Sequence, residues 1–300
     1  MKRLGMAAAL AIMAATAMSP LPFAPVGATK RAESPASPRT VRYGDDPLQE
    51  VDVWPPLLPD ISGLPRRAPL ILFVHGGGWK RGDKGNATGT MKVAHYTREG
   101  YVFASANYRL VPDATVEQQA QDVADALAAL LMQADSLGID RRKVVLMGHS
   151  AGAHLVALVG TDPQYVRKAG LSLTDVAGII PIDGAAYDVP AQMAEGGRFM
   201  QETYEHAFGL DPDRQRALSP TLQAAPPNAP AFLILHVQRI DGVRQAKELE
   251  AALTEAGTKV ERAEFPGRGL AGHAEINRRL GDPEYAATPV VDDWLRRVVR

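Results

Sequence analysis

The feature that narrows the fold most is a five-residue string, Gly148-His149-Ser150-Ala151-Gly152, set between an apolar run at 143–147 and an apolar helical segment at 153–159. The string by itself is common in ordinary sequences. What gives it meaning is the strand before it and the helix after it. Glycines on both flanks allow a strand-to-helix turn too tight for side chains, and the helix that follows aims its positive N-terminal end at the reaction. Such a turn exposes the serine hydroxyl as a nucleophile. The plainer alternative is a helix-capping serine in a tight turn.

Alternation of element types extends outward from that turn. Strand-type runs at 69–74, 101–106, 143–147, 176–182, 231–237 and 259–264 are separated by helical periods at 116–132, 246–256 and 288–299. The pattern predicts an α/β chain, a mostly parallel central sheet with helices on both faces. The alternating segment 49–54 reads as an early antiparallel strand. Residues 184–228 break the alternation, and an insertion of that length in a compact domain is more often functional than idle.

The N-terminus reads as a targeting segment. Lys2 and Arg3 precede an uncharged stretch from Leu4 to Met18, shorter than the ~20 apolar residues that span a bilayer. The expected organisation is therefore a signal peptide at 1–28 cleaved after Ala28, a Ser/Pro/Ala linker at 29–40, and one domain at 41–300. Export to the periplasm or beyond follows, with no membrane span left after cleavage. The chain has no cysteine, so any covalent catalysis must use another side chain. A formal net charge of −1 gives no field that would gather nucleic acid. Metal sites find no spacing support, and no cofactor is called for.

A second glycine cluster, His75-Gly76-Gly77-Gly78-Trp79, follows the run at 69–74. Consecutive glycines bury nothing and cost conformational entropy, but they let bare N–H groups reach a ligand. In acyl transfer, the backbone N–H groups of Gly77, Gly78 and Ala151 would then stabilise the oxyanion. A phosphate loop is the rival reading, and it lacks the Gly-Lys-Ser/Thr ending. α/β-Hydrolases order their residues Ser, then Asp or Glu, then His. That leaves His206, His236 and His273 as bases. His236 closes an apolar strand and His206 falls in the irregular insertion, so His273, in the glycine-rich stretch 266–272, is the expected base. Asp241, the first carboxylate after the run at 231–237, is the expected acid, although it also suits a helix N-cap. Asp183, at the end of the run at 176–182, is its competitor.

His75-Gly-Gly-Gly-Trp79 with Lys80-Arg81-Gly82-Asp83, Asn107-Tyr108-Arg109-Leu110 and the string at 148–155 together resemble the α/β-hydrolase fold's bacterial esterase and lipase group. That group is related to hormone-sensitive lipase and to small feruloyl-esterase and kynurenine-formamidase-like hydrolases. The resemblance runs from Tyr43-Gly44 to the final helix. It implies a serine carboxylesterase acting on a small-molecule ester, with Ser150, Asp241 and His273 as the triad. The sequence departs from the group at the acid, where Arg239-Ile240-Asp241 replaces the usual acidic run. Trp79, Tyr187, Phe199, Tyr204 and Phe208 are candidate pocket residues. The alternatives are an amidase on the same triad and a binding module on an inactive scaffold.

Overall fold

The structure, a computed structural model, describes residues 37–57, 67–195 and 198–299. The expected signal peptide and most of the expected linker lie outside the described residues. Among those described, no helix is long and apolar enough to cross a membrane.

Eight strands form one sheet: β1 (Arg39–Arg42), β2 (Glu50–Trp54), β3 (Ala68–Val74), β4 (Val102–Ala106), β5 (Ile139–His149), β6 (Gly178–Ile182), β7 (Ala231–Gln238) and β8 (Lys259–Arg268). Their order is β1-β2-β4-β3-β5-β6-β7-β8. β2 runs antiparallel to both β1 and β4, and all later pairs are parallel. The first strand begins inside the expected linker. Only Val41 of its four residues is buried, so it has too little apolar signal to read in advance.

The two-residue period of a strand sends alternate side chains to opposite faces. In β3, Leu70, Leu72 and Val74 enter one apolar cluster while Ile71 and Phe73 enter the other. In β5 the same division separates Val144 and Leu146 from Val145 and Met147. Each face therefore has its own core, and each is covered by helices. On one face lie α2 (Val116–Met132), α4 (Ala151–Thr161) and α10 (Ile240–Glu255). On the other lie α1 (Thr90–Arg98), α11 (Gly269–Arg279) and α12 (Ala287–Val298). The short α3 (Ala134–Leu137) and α5 (Pro163–Lys168) complete the helices before the insertion. α2 starts on a reciprocal cap: Thr115 Oγ1 accepts from Gln118 N–H while Gln118 Oε1 accepts from Thr115 N–H, at 3.3 and 2.9 Å.

Two elements differ from the sequence expectation in ways that matter for the site. The stretch 266–272 is not a loop: β8 continues to Arg268 and α11 begins at Gly269, which puts His273 within the first turns of a helix. α10 begins at Ile240, six residues earlier than its apolar period suggests, so Asp241 lies inside its first turn and Arg239 holds the N-cap position. The insertion folds as four short helices, α6 (Val189–Glu195), α7 (Arg198–Phe208), α8 (Pro212–Ala217) and α9 (Pro220–Gln223). Proline opens the last two, at a position where its missing N–H costs nothing.

Candidate active site

Ser150 sits between β5 and α4 with φ 57° and ψ −120°, a left-handed backbone rare for a residue with a side chain. The strain is held by close packing on all sides. A Cβ on Gly148 would come within 2.3 Å of Gly152 O, and one on Gly152 within 2.2 Å of Val74 O. Ser150 N–H donates to Ile182 O at 3.0 Å, tying the turn to the end of β6. Ala151 is the first residue of α4, so its N–H has no partner within the helix.

The loop after β3 is fixed by its tryptophan. Trp79 also has a positive φ, 59°, and is almost fully buried. Its carbonyl accepts from Gln119 Nε2 at 2.7 Å and from Val111 N–H at 3.0 Å. Its indole N–H donates to His154 Nδ1 at 3.3 Å, which leaves Nε2–H of His154 to donate to Leu218 O at 2.8 Å. Burial pushes this imidazole down to about 4, against the opposing pull of Leu218. Behind the loop, Tyr108 OH donates to His75 O at 2.9 Å, and Asn107 joins Asp83 to the N–H of Lys84. Arg109 grips Asp122 through Nε and Nη2, and Gln49 Nε2 donates to the same carboxylate. Several residues that carry the family resemblance thus form a polar scaffold under the glycine loop.

His273 projects from α11 with its side chain mostly buried, and its Nδ1–H donates to Asp183 Oδ2 at 2.5 Å. The structure thus pairs His273 with Asp183 and not with the expected Asp241. Asp183 leaves β6 with φ 43°, its N–H bound to Leu235 O at 2.7 Å and its Oδ1 accepting from Val237 N–H at 3.1 Å. That turn carries the carboxylate across the end of β7 toward α11. Asp241, wound into α10, touches neither ring nitrogen of His273; its nearest cation is Arg239, 3.8 Å away. Arg239 lies closer to Asp183, with Nε 3.4 Å from Oδ2, and donates from Nη2 to Gly184 O at 2.9 Å. Burial raises the Asp183 carboxyl, but the hydrogen bond from His273 and the guanidinium of Arg239 outweigh it and hold the group below the usual carboxylate range.

Ser150, His273, Gly77 and Gly78 line one cleft of about 1000 Å³, and Trp79, Tyr204 and Asp241 share its wall. Ser150 Oγ makes no hydrogen bond to His273 in this structure. Two candidate pocket residues do not reach the cleft: Phe208 is buried behind Trp79, with ring centroids 4.8 Å apart, and Tyr187 is buried beside Gly184. The side chain of Phe199 lies outside the described residues. The other candidate histidines lie elsewhere. His206 is exposed on α7 with Glu202 3.9 Å away, and His236 is buried in β7 and accepts from Arg262 at 2.9 Å. His95 is paired with Asp292 at 2.9 Å. Among the described residues no cluster of His, Asp or Glu is arranged to hold a metal ion. The sequence reading missed His149, Gln119 and the structural part of His154. None of them carries a local signal, because their partners are 40 or more residues away.

A mostly parallel eight-stranded sheet with helices on both faces, carrying a strained serine between β5 and α4, defines an α/β-hydrolase fold. The chain belongs to the BD-FAE family, whose model matches residues 61–253. It is 32% identical over 259 residues to "Esterase LipC" of Mycobacterium tuberculosis, covering 83% of this chain and 63% of that protein. The chain thus spans less than two thirds of that relative. "Ethyl acetate hydrolase" of Pseudomonas putida is 28% identical over 211 residues, 66% of this chain and 64% of that protein. Among solved structures, esterase B from Lactobacillus rhamnosis superimposes with a TM-score of 0.69 at 20% identity, covering 89% of this chain and 86% of its own. Est2 of Thermogutta terrifontis gives 0.67 at 21%, covering 87% and 92%. At these identities the two structures speak for the fold alone.

Proposed function

We propose that the chain is a serine carboxylesterase that hydrolyses small-molecule carboxylic esters through an acyl-enzyme on Ser150, with His273 as base and Asp183 as the triad acid. The observation that carries this reading is the 2.5 Å hydrogen bond from His273 to a buried, charged Asp183, at a cleft onto which a strained serine also opens. The esterase names of its relatives support it.

The chemistry follows from the parts. His273 takes the Ser150 proton as Oγ attacks the ester carbonyl, and the contact between them tightens when substrate enters, as such contacts do from apo geometry. The N–H groups of Gly77, Gly78 and Ala151 stabilise the tetrahedral oxyanion. Its collapse expels the alkoxide, which takes the proton from His273. Water then gives a proton to His273 and attacks the acyl carbon; collapse of the second intermediate returns that proton to Ser150 Oγ and frees the acid. The charged start and uncharged run at 1–18 support export with removal of residues 1–28.

The test is covalent. A fluorophosphonate probe should add once, to Ser150, and abolish hydrolysis of p-nitrophenyl butyrate. Stoichiometric labelling of another residue, or wild-type turnover by Ser150→Ala, would refute the reading. Adding N-formylkynurenine and an aminoacyl anilide to the substrate panel separates an esterase from an amidase.

A further inference from the structure

Resting on the serine-hydrolase reading above, we propose that His149 is a positioning residue for the base, holding His273 by its main-chain carbonyl and by ring contact while the imidazole changes charge. His149 belongs to the turn that carries Ser150, yet its side chain reaches across to α11. Its Nε2–H donates to His273 O at 2.9 Å, and the two imidazole rings pack with centroids 4.4 Å apart at a tilt of 36°. The ring is buried, with 7% of the residue exposed.

The same residue also bounds the oxyanion loop. A Cβ on Gly76 would come 2.9 Å from His149 O and 3.2 Å from its Nδ1, so the loop can approach the serine only where glycine stands. His149 therefore touches the base and the oxyanion loop while being covalently joined to the nucleophile. A carbonyl oxygen only accepts, so Nε2 carries a proton and donates it. Burial first, and then the neighbouring His273, push the ring well below the usual histidine range, with Asp183 opposing and Lys92 adding to the effect. A neutral donor suits this role, since it can hold the carbonyl without setting a second cation beside the imidazolium formed in each half-reaction.

Near-attack geometry is sensitive to displacements of about 1 Å, which can cost on the order of 100-fold in rate. His149→Leu removes both the donor and the aromatic ring, His149→Gln keeps an N–H donor, and His149→Phe keeps a ring. Each variant is titrated with the fluorophosphonate probe to count competent sites, and p-nitrophenyl acetate turnover is expressed per titrated site. The expected result for His149→Leu is a 10- to 100-fold lower kcat per site with KM within about twofold, and partial recovery in the Gln or the Phe variant. Recovery by Gln assigns the hold to the hydrogen bond, and recovery by Phe assigns it to the ring. The proposal is overturned if His149→Leu keeps kcat per site and loses only the number of sites, which is a folding defect. It is equally overturned if neither Gln nor Phe recovers any rate. Ser150→Ala and His273→Ala are run alongside: if they remain active the esterase reading falls, whereas if they are dead and His149→Leu is normal only this inference falls.

Discussion

Replacing Asp183 by Asn tests the proposed triad acid against the one expected from the sequence. Asp183 Oδ2 accepts the Nδ1–H of His273 at 2.5 Å, and Oδ1 accepts the N–H of Val237 at 3.1 Å. Asn can keep the second bond, but its amide then presents N–H to His273 and forces the other tautomer, with the proton on the nitrogen that must accept from Ser150. It also removes the charge that stabilises the imidazolium. In a serine protease the corresponding change lowers kcat by about 10⁴, roughly 5 kcal/mol of transition-state stabilisation. Asp183→Asn should show a loss of that order with KM little changed. Asp241 is partly exposed and pairs with Arg239 at 3.8 Å, an arrangement worth about 0–1 kcal/mol. Asp241→Asn should therefore retain kcat within a few-fold. The assay is p-nitrophenyl butyrate turnover normalised to probe-titrated sites, with circular dichroism to confirm the fold. An inactive Asp241→Asn beside an active Asp183→Asn would refute the argument.

Three further outcomes follow from the geometry. His154, lowered to about 4 in the fold, binds its proton near 6.5 when unfolded, so its contribution to stability is present above that range and is lost as pH falls toward 4. The loss is about 2 kcal/mol by pH 5, and urea unfolding at pH 7 and 5 should show a smaller difference for His154→Gln than for wild type; equal differences would contradict it. Gly152→Ala would drive a Cβ to 2.2 Å from Val74 O, and a backbone cannot yield there cheaply. Thermal unfolding should register a loss of about 1–3 kcal/mol together with most of the activity. Gln119→Ala removes a 2.7 Å bond from the carbonyl of Trp79, where φ is already positive. It should cost about 1 kcal/mol and lower kcat several-fold more than it changes KM, and an unchanged kcat would show that the loop is held by Val111 and His154 alone.

The sheet was readable because its central strands are buried on both faces, and such runs as Leu70–Val74 and Val144–Met147 are apolar throughout. The strand-to-helix turn at Ser150 was readable because its demands are local: two glycines, a serine, a strand and a helix. The acid was not. Asp183 and Asp241 both follow an apolar strand by one to four residues, and a linear reading cannot tell which strand end faces the base. That depends on α11, whose start was obscured by Pro266 and the glycines at 267, 269 and 272. β8 is an edge strand with little buried surface, so its extension to Arg268 left no apolar pattern. The substitution of Arg239-Ile240-Asp241 for an acidic run marked the place where the expectation failed. In the structure a guanidinium, not a carboxylate, turns from that position toward the site, and it meets Asp183 from the neighbouring strand.

Three further imidazoles crowd the serine and its glycine loop, and the fold gives each of them a different partner from that of His273. His75 donates from Nδ1 to Gly76 O at 2.8 Å and lies against Tyr108, with ring centroids 4.4 Å apart. His149 donates to His273 O, and His154 is fixed between Trp79 and Leu218. Each of the three spends its single proton on a backbone carbonyl, and burial lowers all three below the usual histidine range. A second imidazolium in place of His149, 4.4 Å from His273, would oppose the first by about 4 kcal/mol at an effective dielectric of ~20. That penalty is comparable to much of what a triad carboxylate supplies, so the proposed mechanism requires that His149 stay neutral. His273 differs from the other three in what its Nδ1 meets: a carboxylate, which stabilises the protonated ring, where the others meet only carbonyls or a neutral donor. The desolvated surroundings thus hold three imidazoles neutral, and the proposed mechanism assigns the base to the one that faces Asp183.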